Sequence, residues 1–387
     1  MINLDHNSTT PVHPDVVRAI RDALLARHGN ASSTHGLGRA ARNVLDTTRQ
    51  RIAHLLGART TGMHCDRVIL TSGGTEANNL ALFGIGGSAP GRIIVSAVEH
   101  PSVLEAADEL ARRGFELCRL PVGSDGVIDV AACAALINSD TRLVSLMLAN
   151  NETGALQPVQ QVAALCAERN VPIHTDAVQA VGKIPVEFRA LQVTALTLSA
   201  HKFHGPRGIG ALLIRSGQTI APQLFGGHQQ DGQRPGTEPI ELAIGMCRAL
   251  EIAAQEGGTR QTRMLALRDR FEELLRDANI GVIVNALDAQ RLPHTSNVAF
   301  PGIDCQALHM ALDMAGVACS VGSACASGAA RPSHVLVAMQ LPQEIVDASL
   351  RFSLGAFTTR QDIDNAVDRI VAVVRRLHAQ VGSRRPN

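Results

Sequence analysis

The sequence predicts an α/β protein whose larger part is a doubly wound, mostly parallel sheet. Between residues 67 and 214, short β-branched runs alternate with helical patterns, which is typical of strands joined by crossover helices. The chain has 387 residues, of which 45% are hydrophobic and 18% are charged. It can therefore bury a sizeable core, and disorder is excluded as its general state.

Seven candidate strands follow one another in this region. They occupy residues 67–71, 92–96, 115–120, 142–148, 171–175, 194–198 and 209–214, with helical patterns at 75–83, 102–113, 129–137 and 158–169. The last two strands are joined without a helix, so we expect one antiparallel strand to be mixed into the parallel sheet.

Further helical patterns lie at 240–256, 261–278 and 360–378. Gly257-Gly258 separates the first two of these helices and predicts a domain change at that point. We therefore predict a large domain over residues 16–258 and a smaller α+β domain formed by residues 1–15 and 259–387.

Charge and composition exclude several kinds of partner. The formal net charge is +1 and the pI is about 7.7, so no summed field attracts nucleic acid or an acidic membrane. Tyr and Trp are absent, which argues against stacking of bases on aromatic side chains. No apolar run approaches the roughly 20 residues that span a bilayer, and no secretory signal is visible. We expect a soluble cytoplasmic protein.

The cysteines and lysines limit the kinds of site that the chain can form. None of the eight cysteines forms a C-x-x-C pair, so zinc-knuckle and thioredoxin chemistry lack their spacing, and most cysteines are expected to be small buried residues. Among 36 basic residues, only Lys183 and Lys202 are lysines. A lysine can lose its proton and act as a nucleophile or base, which arginine cannot. An ordinary surface residue is the alternative for either lysine.

Candidate ligand-binding residues follow the strands, because open α/β sheets bind ligands beyond the carboxyl ends of their strands. The first strand leads into Ser72-Gly73-Gly74-Thr75-Glu76 and then a helix. The free N–H groups and the dipole at the start of that helix favour a phosphate. A plain helix cap at Thr75 is the alternative.

Later strands add polar residues of the kinds that hold a planar, charged ring. His100 follows the second strand, Asn151 the fourth, and Asp176 with Gln179 the fifth. An imidazole can stack on a ring or shuttle protons, and a carboxylate can pair with a protonated ring nitrogen. A lone histidine more often does neither, and Asp176 is also a good helix cap.

Lys202 follows the sixth strand, within Ser199-Ala200-His201-Lys202-Phe203-His204. It is therefore expected at the same sheet edge as the phosphate cradle, the acid and the histidine. A lysine that forms an imine, a carboxylate for a pyridinium nitrogen and a phosphate site at a helix terminus are the parts of a pyridoxal phosphate site. His201 and His204 have the spacing of a metal pair, but no carboxylate or cysteine completes it, so we predict no structural metal.

A second group of candidate residues lies towards the C-terminus. From Gly322 to Ala330 no side chain is larger than that of Cys325, which indicates a mobile loop with an accessible thiol. A small-residue helix with a buried cysteine is the alternative. Arg351 is a cation in an apolar strand, and the α-carboxylate of an amino acid is a natural bidentate partner for it.

The chain resembles the cysteine desulfurases, which are fold-type I pyridoxal phosphate enzymes of the class-V aminotransferase family, over nearly its whole length. The motifs that carry the resemblance occur in the family's order and are LDHNSTTPVHPDV, GNASSTHGLGRAAR, TSGGTEANN, VEHPSV, NNETGALQPV, HTDAVQAVGK, SAHKFHGPRGIG, GQRPGTEP, GSACASGAARPSHVL and LRFSLG. The short GSAC-A-S form is similar to the class I branch, which feeds iron–sulfur cluster assembly.

The resemblance implies roles for the residues of the cofactor site. Lys202 would hold pyridoxal 5′-phosphate as an imine and move the Cα proton, His100 would stack on the ring and assist proton transfer, and Asp176 would keep the ring nitrogen protonated. The other cofactor contacts would be Gly74, Thr75, Asn151, Gln179, Ser199 and His201, with Thr237 from the other subunit of a homodimer.

The resemblance also implies a substrate and a reaction. Arg351, assisted by Asn7 or Asn151, would bind the carboxylate of L-cysteine. Cys325 would attack the substrate sulfur, leaving L-alanine and a persulfide on the enzyme; whether it also ligates an iron–sulfur cluster transiently stays open. The sulfur would pass to an iron–sulfur scaffold protein or to a tRNA thiolation enzyme, with no direct contact to nucleic acid or membrane.

Two alternatives stay open. A selenocysteine lyase or another pyridoxal phosphate-dependent lyase or aminotransferase has the same fold, although a transaminase has no use for Cys325. A non-catalytic binding protein of this fold would need neither Lys202 nor Asp176. The chain also departs from the family at Arg331, where an acidic residue is usual, and this change concerns the choice of partner more than the chemistry.

Overall fold

The computed structural model describes residues 1–86, 90–322 and 332–382, which form strands and helices in alternation. The strands are β1 (Ile2–Asn3), β2 (Arg67–Thr71), β3 (Arg92–Ser96), β4 (Glu116–Leu120), β5 (Thr141–Ser145), β6 (Ile173–Asp176), β7 (Ala195–Ser199), β8 (Gly210–Ile214), β9 (Ile283–Val284), β10 (Thr295–Ala299), β11 (Val317–Ala318) and β12 (Ser349–Ser353). The helices are α1 (Pro14–Leu25), α2 (Gly36–Leu55), α3 (Gly74–Ile85), α4 (Pro101–Arg112), α5 (Val130–Leu136), α6 (Val159–Glu168), α7 (Ile240–Asp277), α8 (Cys305–Met314), α9 (His334–Ala338), α10 (Gln343–Val346) and α11 (Arg360–Gly382). None of these described helices is long and apolar enough to cross a bilayer.

Strands β2 to β8 form the predicted seven-stranded sheet, in the spatial order β2-β8-β7-β6-β5-β3-β4. β8 is antiparallel to both of its neighbours, β2 and β7, whereas the other pairs in this sheet are parallel. The expected antiparallel strand is therefore β8. Because the remaining strands all point the same way, the segments that follow β2, β3, β5, β6 and β7 meet at one edge of the sheet.

Helices cover both faces of this sheet, as a doubly wound fold requires. Ile94 of β3 belongs to the apolar core that α2 and α6 complete on one face. Its neighbours Ile93 and Val95 belong to the core that α3 and α4 complete on the other face. Burial on both faces explains why the strands were visible as continuous apolar runs in the sequence.

A smaller part of the molecule has its own sheets and core. β12, β10 and β9 form an antiparallel sheet, and β1 pairs with β11 in parallel. Phe271 of α7, Phe300 and Phe352 of β12 pack in the same apolar core as residues of α8 and α11. Ile2 and Leu4 join that core, so the start of the chain packs with its C-terminal part.

The predicted separation of two helices at Gly257-Gly258 is wrong, because α7 runs without interruption from Ile240 to Asp277. Arg260 and Glu256 form an ion pair of 2.6 Å across the glycines. The helix buries Ile252 in the larger core and Leu267 in the smaller one. The burial of apolar side chains of α7 on both sides of the glycine pair therefore outweighs the roughly 1 kcal/mol by which each glycine destabilises a helix.

Most cysteines are buried, as expected. Of the seven cysteines in the described residues, the buried ones are Cys133, Cys166, Cys247, Cys305 and Cys319. Cys65 is exposed and Cys118 is half-buried.

Candidate active site

A cavity of about 280 Å³ lies at the edge where the strands of the large sheet end. The segments after β2, β3, β5, β6 and β7 supply most of its wall, and the N-terminal segment and β12 supply the rest. The predicted site residues that line it are Asn7, Gly74, Thr75, His100, Asn151, Asp176, Gln179, Ser199, His201, Lys202 and Arg351. The topology thus brings together residues from nearly the whole length of the chain.

The start of α3 builds one end of the cavity. The helix begins at Gly74, after Gly73 as N-cap and without a side-chain cap, so the alternative of a helix cap at Thr75 is wrong. A β-carbon on Gly74 would lie 3.0 Å from Cγ2 of Val178, so a glycine allows this close approach. The N–H groups of the first helical turn, with the hydroxyls of Thr75 and Ser199, form an anion-binding end.

Lys202 lies on the 3₁₀ turn that follows β7. Its Nζ donates to the carbonyl oxygens of Asn7 at 2.5 Å and Ser8 at 2.9 Å. Its own carbonyl accepts a hydrogen bond of 2.6 Å from Nζ of Lys183. Lys183 is buried, so the surface alternative is wrong for this lysine. Burial, together with the charges of Lys202 and Arg260, lowers the pKa of Lys183 to about 7.

Two donors orient the carboxylate of Asp176 at the end of β6. Oδ1 accepts from the N–H of Val178 at 2.9 Å, and Oδ2 accepts from Nδ2 of Asn78 at 2.7 Å. Asn78 also donates to Oγ of Ser102 at 2.8 Å, and both side chains line the cavity. The sequence analysis did not assign Asn78 to the site. The available signal was its position one turn into α3, next to the anion-binding end.

His100 caps α4 and presents its ring to the cavity. Its Nδ1 accepts from the N–H of Ser102 at 3.1 Å, which assigns the proton of the neutral ring to Nε2. Burial lowers the pKa of His100, against an opposing effect of the Asp176 carboxylate. The charge of Lys202 lowers it further. The neutral ring is therefore favoured, and its Nε2–H is available as a donor.

His201 and His204 make separate contacts. His201 lines the cavity, and its Nδ1 lies 3.2 Å from Oγ1 of Thr9. His204 donates from Nδ1 to the carbonyl of Pro11 at 2.9 Å and accepts at Nε2 from the N–H of Ala356 at 3.3 Å. Both ring nitrogens of His204 are thus engaged by the backbone, so it does not share a ligand with His201 in this arrangement.

Arg351 lies on β12 and is 2% exposed. Its Nη1 donates to the carbonyl of Asn151 at 3.1 Å. Its Nη2 donates to Oδ1 of Asp5 at 2.9 Å and to Oγ of Ser8 at 2.8 Å. Asp5 and Ser8 were not among the predicted site residues.

Asn7 holds the N-terminal segment in the site. Its Nδ2 donates to the carbonyl of Asn151 at 3.1 Å and to Oγ1 of Thr295 at 3.0 Å. Its Oδ1 lies 2.7 Å from Nε2 of His294. The side-chain amide of Asn7 is therefore engaged within the protein, although the residue lines the cavity.

Of the remaining predicted site residues, one does not line this cavity and one lies outside the described residues. Thr237 is exposed in the loop before α7 and is not among the residues that line the cavity. Cys325 lies outside the described residues, as does Arg331.

Two residues at the start of α9 contact sequence neighbours of the cavity residues. Ser333 donates from Oγ to Oε2 of the buried Glu152 at 2.5 Å, and His334 lies with Nε2 2.9 Å from the carbonyl of Glu99. Glu152 and Glu99 are the sequence neighbours of Asn151 and His100, both of which line the cavity.

Comparison with known proteins shows the family of this site. The model of the Aminotransferase class-V family matches residues 2–366. A cysteine desulfurase of Cereibacter sphaeroides is 43% identical over 383 residues, which cover 98% of this chain and 97% of that protein. Cysteine desulfurase IscS of Dictyoglomus turgidum is 40% identical over 379 residues, or 97% of this chain and 95% of that protein. The chain belongs to the cysteine desulfurases of the class-V aminotransferase family.

Solved structures agree with this membership. A NifS-like protein superimposes with a TM-score of 0.88 at 33% identity, covering 97% of this chain and 99% of that one. A NifS-like protein from Rickettsia africae gives a TM-score of 0.87 at 30% identity, covering 96% of this chain and 99% of that one. The predicted fold-type I architecture is confirmed.

Pyridoxal 5′-phosphate, the cofactor of this family, fits the residues of the cavity. The anion-binding end at Gly74 suits its phosphate, and the oriented carboxylate of Asp176 suits its ring nitrogen. Oδ1 of Asn151 and Oε1 of Gln179 are buried without a hydrogen-bond partner among the described residues. A buried polar group without a partner costs free energy, so these two amides indicate a polar ligand beside them.

Proposed function

We propose that this protein converts L-cysteine to L-alanine with pyridoxal 5′-phosphate and transfers the sulfur to Cys325. One observation carries the proposal: Lys202, Asp176 and Arg351 line one cavity. An amine, a carboxylate for a ring nitrogen and a cation for an α-carboxylate are thereby within reach of a single bound amino acid and cofactor. Relatives named cysteine desulfurase, which match over nearly the full chain, support this substrate.

The cofactor, when bound, draws electrons away from the bonds at the substrate Cα. Lys202 would hold it covalently and, once displaced by substrate, would use its amine to take the Cα proton. Asp176 would keep a proton on the ring nitrogen. Its carboxylate needs no reorganisation for this, because Val178 and Asn78 already fix its orientation.

Arg351 and His100 would act on the substrate itself. The guanidinium of Arg351 would bind the α-carboxylate and so orient Cα towards Lys202. The neutral ring of His100, whose pKa burial lowers, would stack on the cofactor ring and assist proton transfer as a donor through its Nε2–H. Cys325 would act as a thiolate, because the thiolate, not the thiol, is the nucleophile.

The sulfur transfer balances between substrate and protein. The Cys325 thiolate attacks the substrate sulfur, the S–S bond forms and the Cβ–S bond breaks. The electron pair of the broken bond stays on Cβ, which takes up a proton and becomes a methyl group, and the Lys202 ammonium returns a proton to Cα, so that the product is L-alanine. The enzyme retains the sulfur as a persulfide, and no external oxidant or reductant is needed.

We further propose a cytoplasmic homodimer in which Thr237 reaches the phosphate end of the other subunit's site, and a sulfur-accepting iron–sulfur scaffold protein or thiolation enzyme as partner. Thr237 is exposed, which supports a role outside its own subunit. Met63 and Phe225, which are 94% and 88% exposed, are apolar side chains of the kind that subunit contacts cover.

The variant Cys325→Ala tests the sulfur-transfer step. It should keep the visible absorbance of the bound cofactor, while alanine formation from L-cysteine falls by about 100-fold or more, because the nucleophile is lost. Alanine and sulfide are assayed together with a thiol reductant present. Cys65→Ala removes an exposed cysteine elsewhere and should retain activity. Full activity of Cys325→Ala would overturn the persulfide mechanism.

The variant Lys202→Ala tests whether the amine of Lys202 holds the cofactor and takes the Cα proton. The absorbance of the lysine-bound cofactor should disappear, and alanine formation should fall by about 1,000-fold or more. An unchanged absorbance band would move the assignment to Lys183. In the wild-type protein, alanine formed from L-selenocysteine but not from L-cysteine would favour the selenocysteine lyase.

A further inference from the structure

The guanidinium of Arg351 is bound to a carboxylate of the protein itself. Its Nη2 donates to Oδ1 of Asp5 at 2.9 Å, and the two side chains are 3% and 25% exposed. Oγ of Ser8 accepts from the same Nη2 at 2.8 Å and donates to Oδ1 of Asp5 at 2.9 Å. The three side chains form a closed ring of hydrogen bonds, and Ser8 and Arg351 line the cavity.

The backbone fixes this ring. Asp5 forms a parallel bridge with Ser353, two residues after Arg351 on β12. The N–H of Ser353 donates to the carbonyl of Leu4 at 2.7 Å, and the N–H of His6 donates to the carbonyl of Ser353 at 3.2 Å. Asp5 is therefore held beside Arg351 by the main chain on both sides of it.

The hydrogen bonds of Arg351 leave no complete edge for a second carboxylate. Both N–H groups of Nη2 are used by Asp5 and Ser8, and one of Nη1 is used by the carbonyl of Asn151. Nε has no partner among the described residues. The remaining donors, on Nε and Nη1, do not share an edge of the guanidinium. A bidentate carboxylate needs two parallel N–H groups on one edge, so Nη2 must release Asp5 or Ser8.

From this geometry we propose that Asp5 competes with the amino-acid carboxylate for Arg351 and is a positioning residue that keeps carboxylate binding weak. The inference rests on the proposed function, in which substrate and product both carry an α-carboxylate. A cation as deeply buried as Arg351 would otherwise hold L-alanine tightly. Because Asp5 neutralises that cation and re-forms its bond when the ligand leaves, it favours release of the product.

The variant Asp5→Asn tests the competition. Asparagine keeps an oxygen acceptor for Arg351 and Ser8 but removes the charge that repels a second carboxylate. The Kd of the holoenzyme for L-alanine, titrated by its visible spectrum, should fall about tenfold. The KM for L-cysteine should fall with it, without a rise in kcat. Ethylamine, which is L-alanine without the carboxylate, should keep its wild-type Kd.

Asp22→Asn is the matched control, because it makes the same change of net charge at an exposed residue of α1 and should leave the Kd for L-alanine unchanged. An unchanged or higher Kd for L-alanine in Asp5→Asn would overturn the inference, as would an equal fall for ethylamine. Wild-type protein that forms no alanine from L-cysteine would instead overturn the proposed function, so the two failures are distinguishable.

Discussion

Glu99, the sequence neighbour of His100, is a carboxyl group whose protonated form is favoured by burial. Its Oε1 accepts from Oγ of Ser96 and from the N–H of Met147, each at 2.8 Å. Its Oε2 has no partner among the described residues. Burial and, to a smaller extent, the charge of Asp176 outweigh the effect of these hydrogen bonds and raise the pKa of Glu99 to about 8.

This raised pKa predicts a specific dependence of stability on pH. Between the ordinary carboxyl pKa of 4.5 and the folded pKa of about 8, the folded state holds about one proton more than the unfolded state. The contribution of Glu99 is therefore fully present below pH 4.5 and is lost as the pH rises through 8. Glutamine mimics the protonated form of Glu99 and does not titrate. The free energy of unfolding of Glu99→Gln, relative to that of the wild-type protein, should therefore rise by on the order of 3 kcal/mol as the pH rises from 5 to 8.

The measurement is denaturant unfolding of the wild-type protein and of Glu99→Gln across this pH range. Glu273→Gln, at an exposed position of α7, is the matched control and should follow the wild-type protein. If the difference in the free energy of unfolding between Glu99→Gln and the wild-type protein stayed constant from pH 5 to pH 8, Glu99 would be ionised in the folded protein over this range.

Individual site residues were predictable where the sequence placed them directly after a strand. Lys202 and Asp176 follow β7 and β6, and their meeting at one edge is a consequence of parallel strands. The contacts of Asp5 were not predictable, because Arg351 lies 346 residues away and only the pairing of the N-terminal segment with β12 joins them. Likewise, no local pattern shows that Lys183 is buried under the turn of Lys202.

At the scale of single elements, α7 gives the clearest prediction. A β-carbon at Gly257 or Gly258 would meet no heavy atom within 4 Å, and both positions are helical. Each replacement by alanine should raise the free energy of unfolding by about 0.5–1 kcal/mol, because glycine has the larger conformational entropy to lose. Denaturant unfolding of Gly257→Ala and Gly258→Ala measures this directly.

Gly245 is the matched control on the same helix. A β-carbon there would lie 2.6 Å from Cδ1 of Ile20 and 3.2 Å from Cγ of Pro206, so Gly245→Ala should lower stability although the helix propensity improves equally. A lower free energy of unfolding in Gly257→Ala would show that a glycine is required at this position of α7.

The strands were predictable and the continuity of α7 was not, for related physical reasons. Strands such as β7 and β8 are buried along their whole length, so their apolar runs are bounded by local turn signals. A glycine pair is also a local breaker signal, but tertiary packing overrides it in α7. The burial of Ile252 in the larger core and of Leu267 in the smaller one exists only in the folded chain.

At the scale of the whole molecule, the site lies where two cores meet. Lys202 belongs to the part built on the large sheet, whereas Arg351 belongs to the part in which Ile2 and Leu4 pack with β12. We propose the division into residues 16–258 and residues 1–15 with 259–387, because the first residues share the core of the last ones. Under this division, Lys202 of the large domain bonds the backbone of Asn7 in the small one.

The proposed dimer predicts that each site is built from residues of two subunits, and a hybrid dimer can test this. If Thr237 serves the other subunit's site, a hybrid dimer of one Lys202→Ala chain and one Thr237→Val chain has both lesions in one site and none in the other. If Thr237 serves its own subunit, each site carries one lesion. The two arrangements therefore differ in whether a native site exists at all.

We expect the hybrid to recover about half of the wild-type activity per dimer, at a cofactor concentration too low to fill the Thr237→Val site. The two chains are co-expressed with different tags, the hybrid is isolated by both tags, and alanine formation from L-cysteine is compared with that of each parent dimer. The parents should be impaired for different reasons: Lys202→Ala lacks the amine, and Thr237→Val lacks a hydroxyl for the phosphate. A hybrid no more active than the mean of its parents would assign Thr237 to its own subunit or to no site, whereas recovery requires that the phosphate end be completed across the dimer.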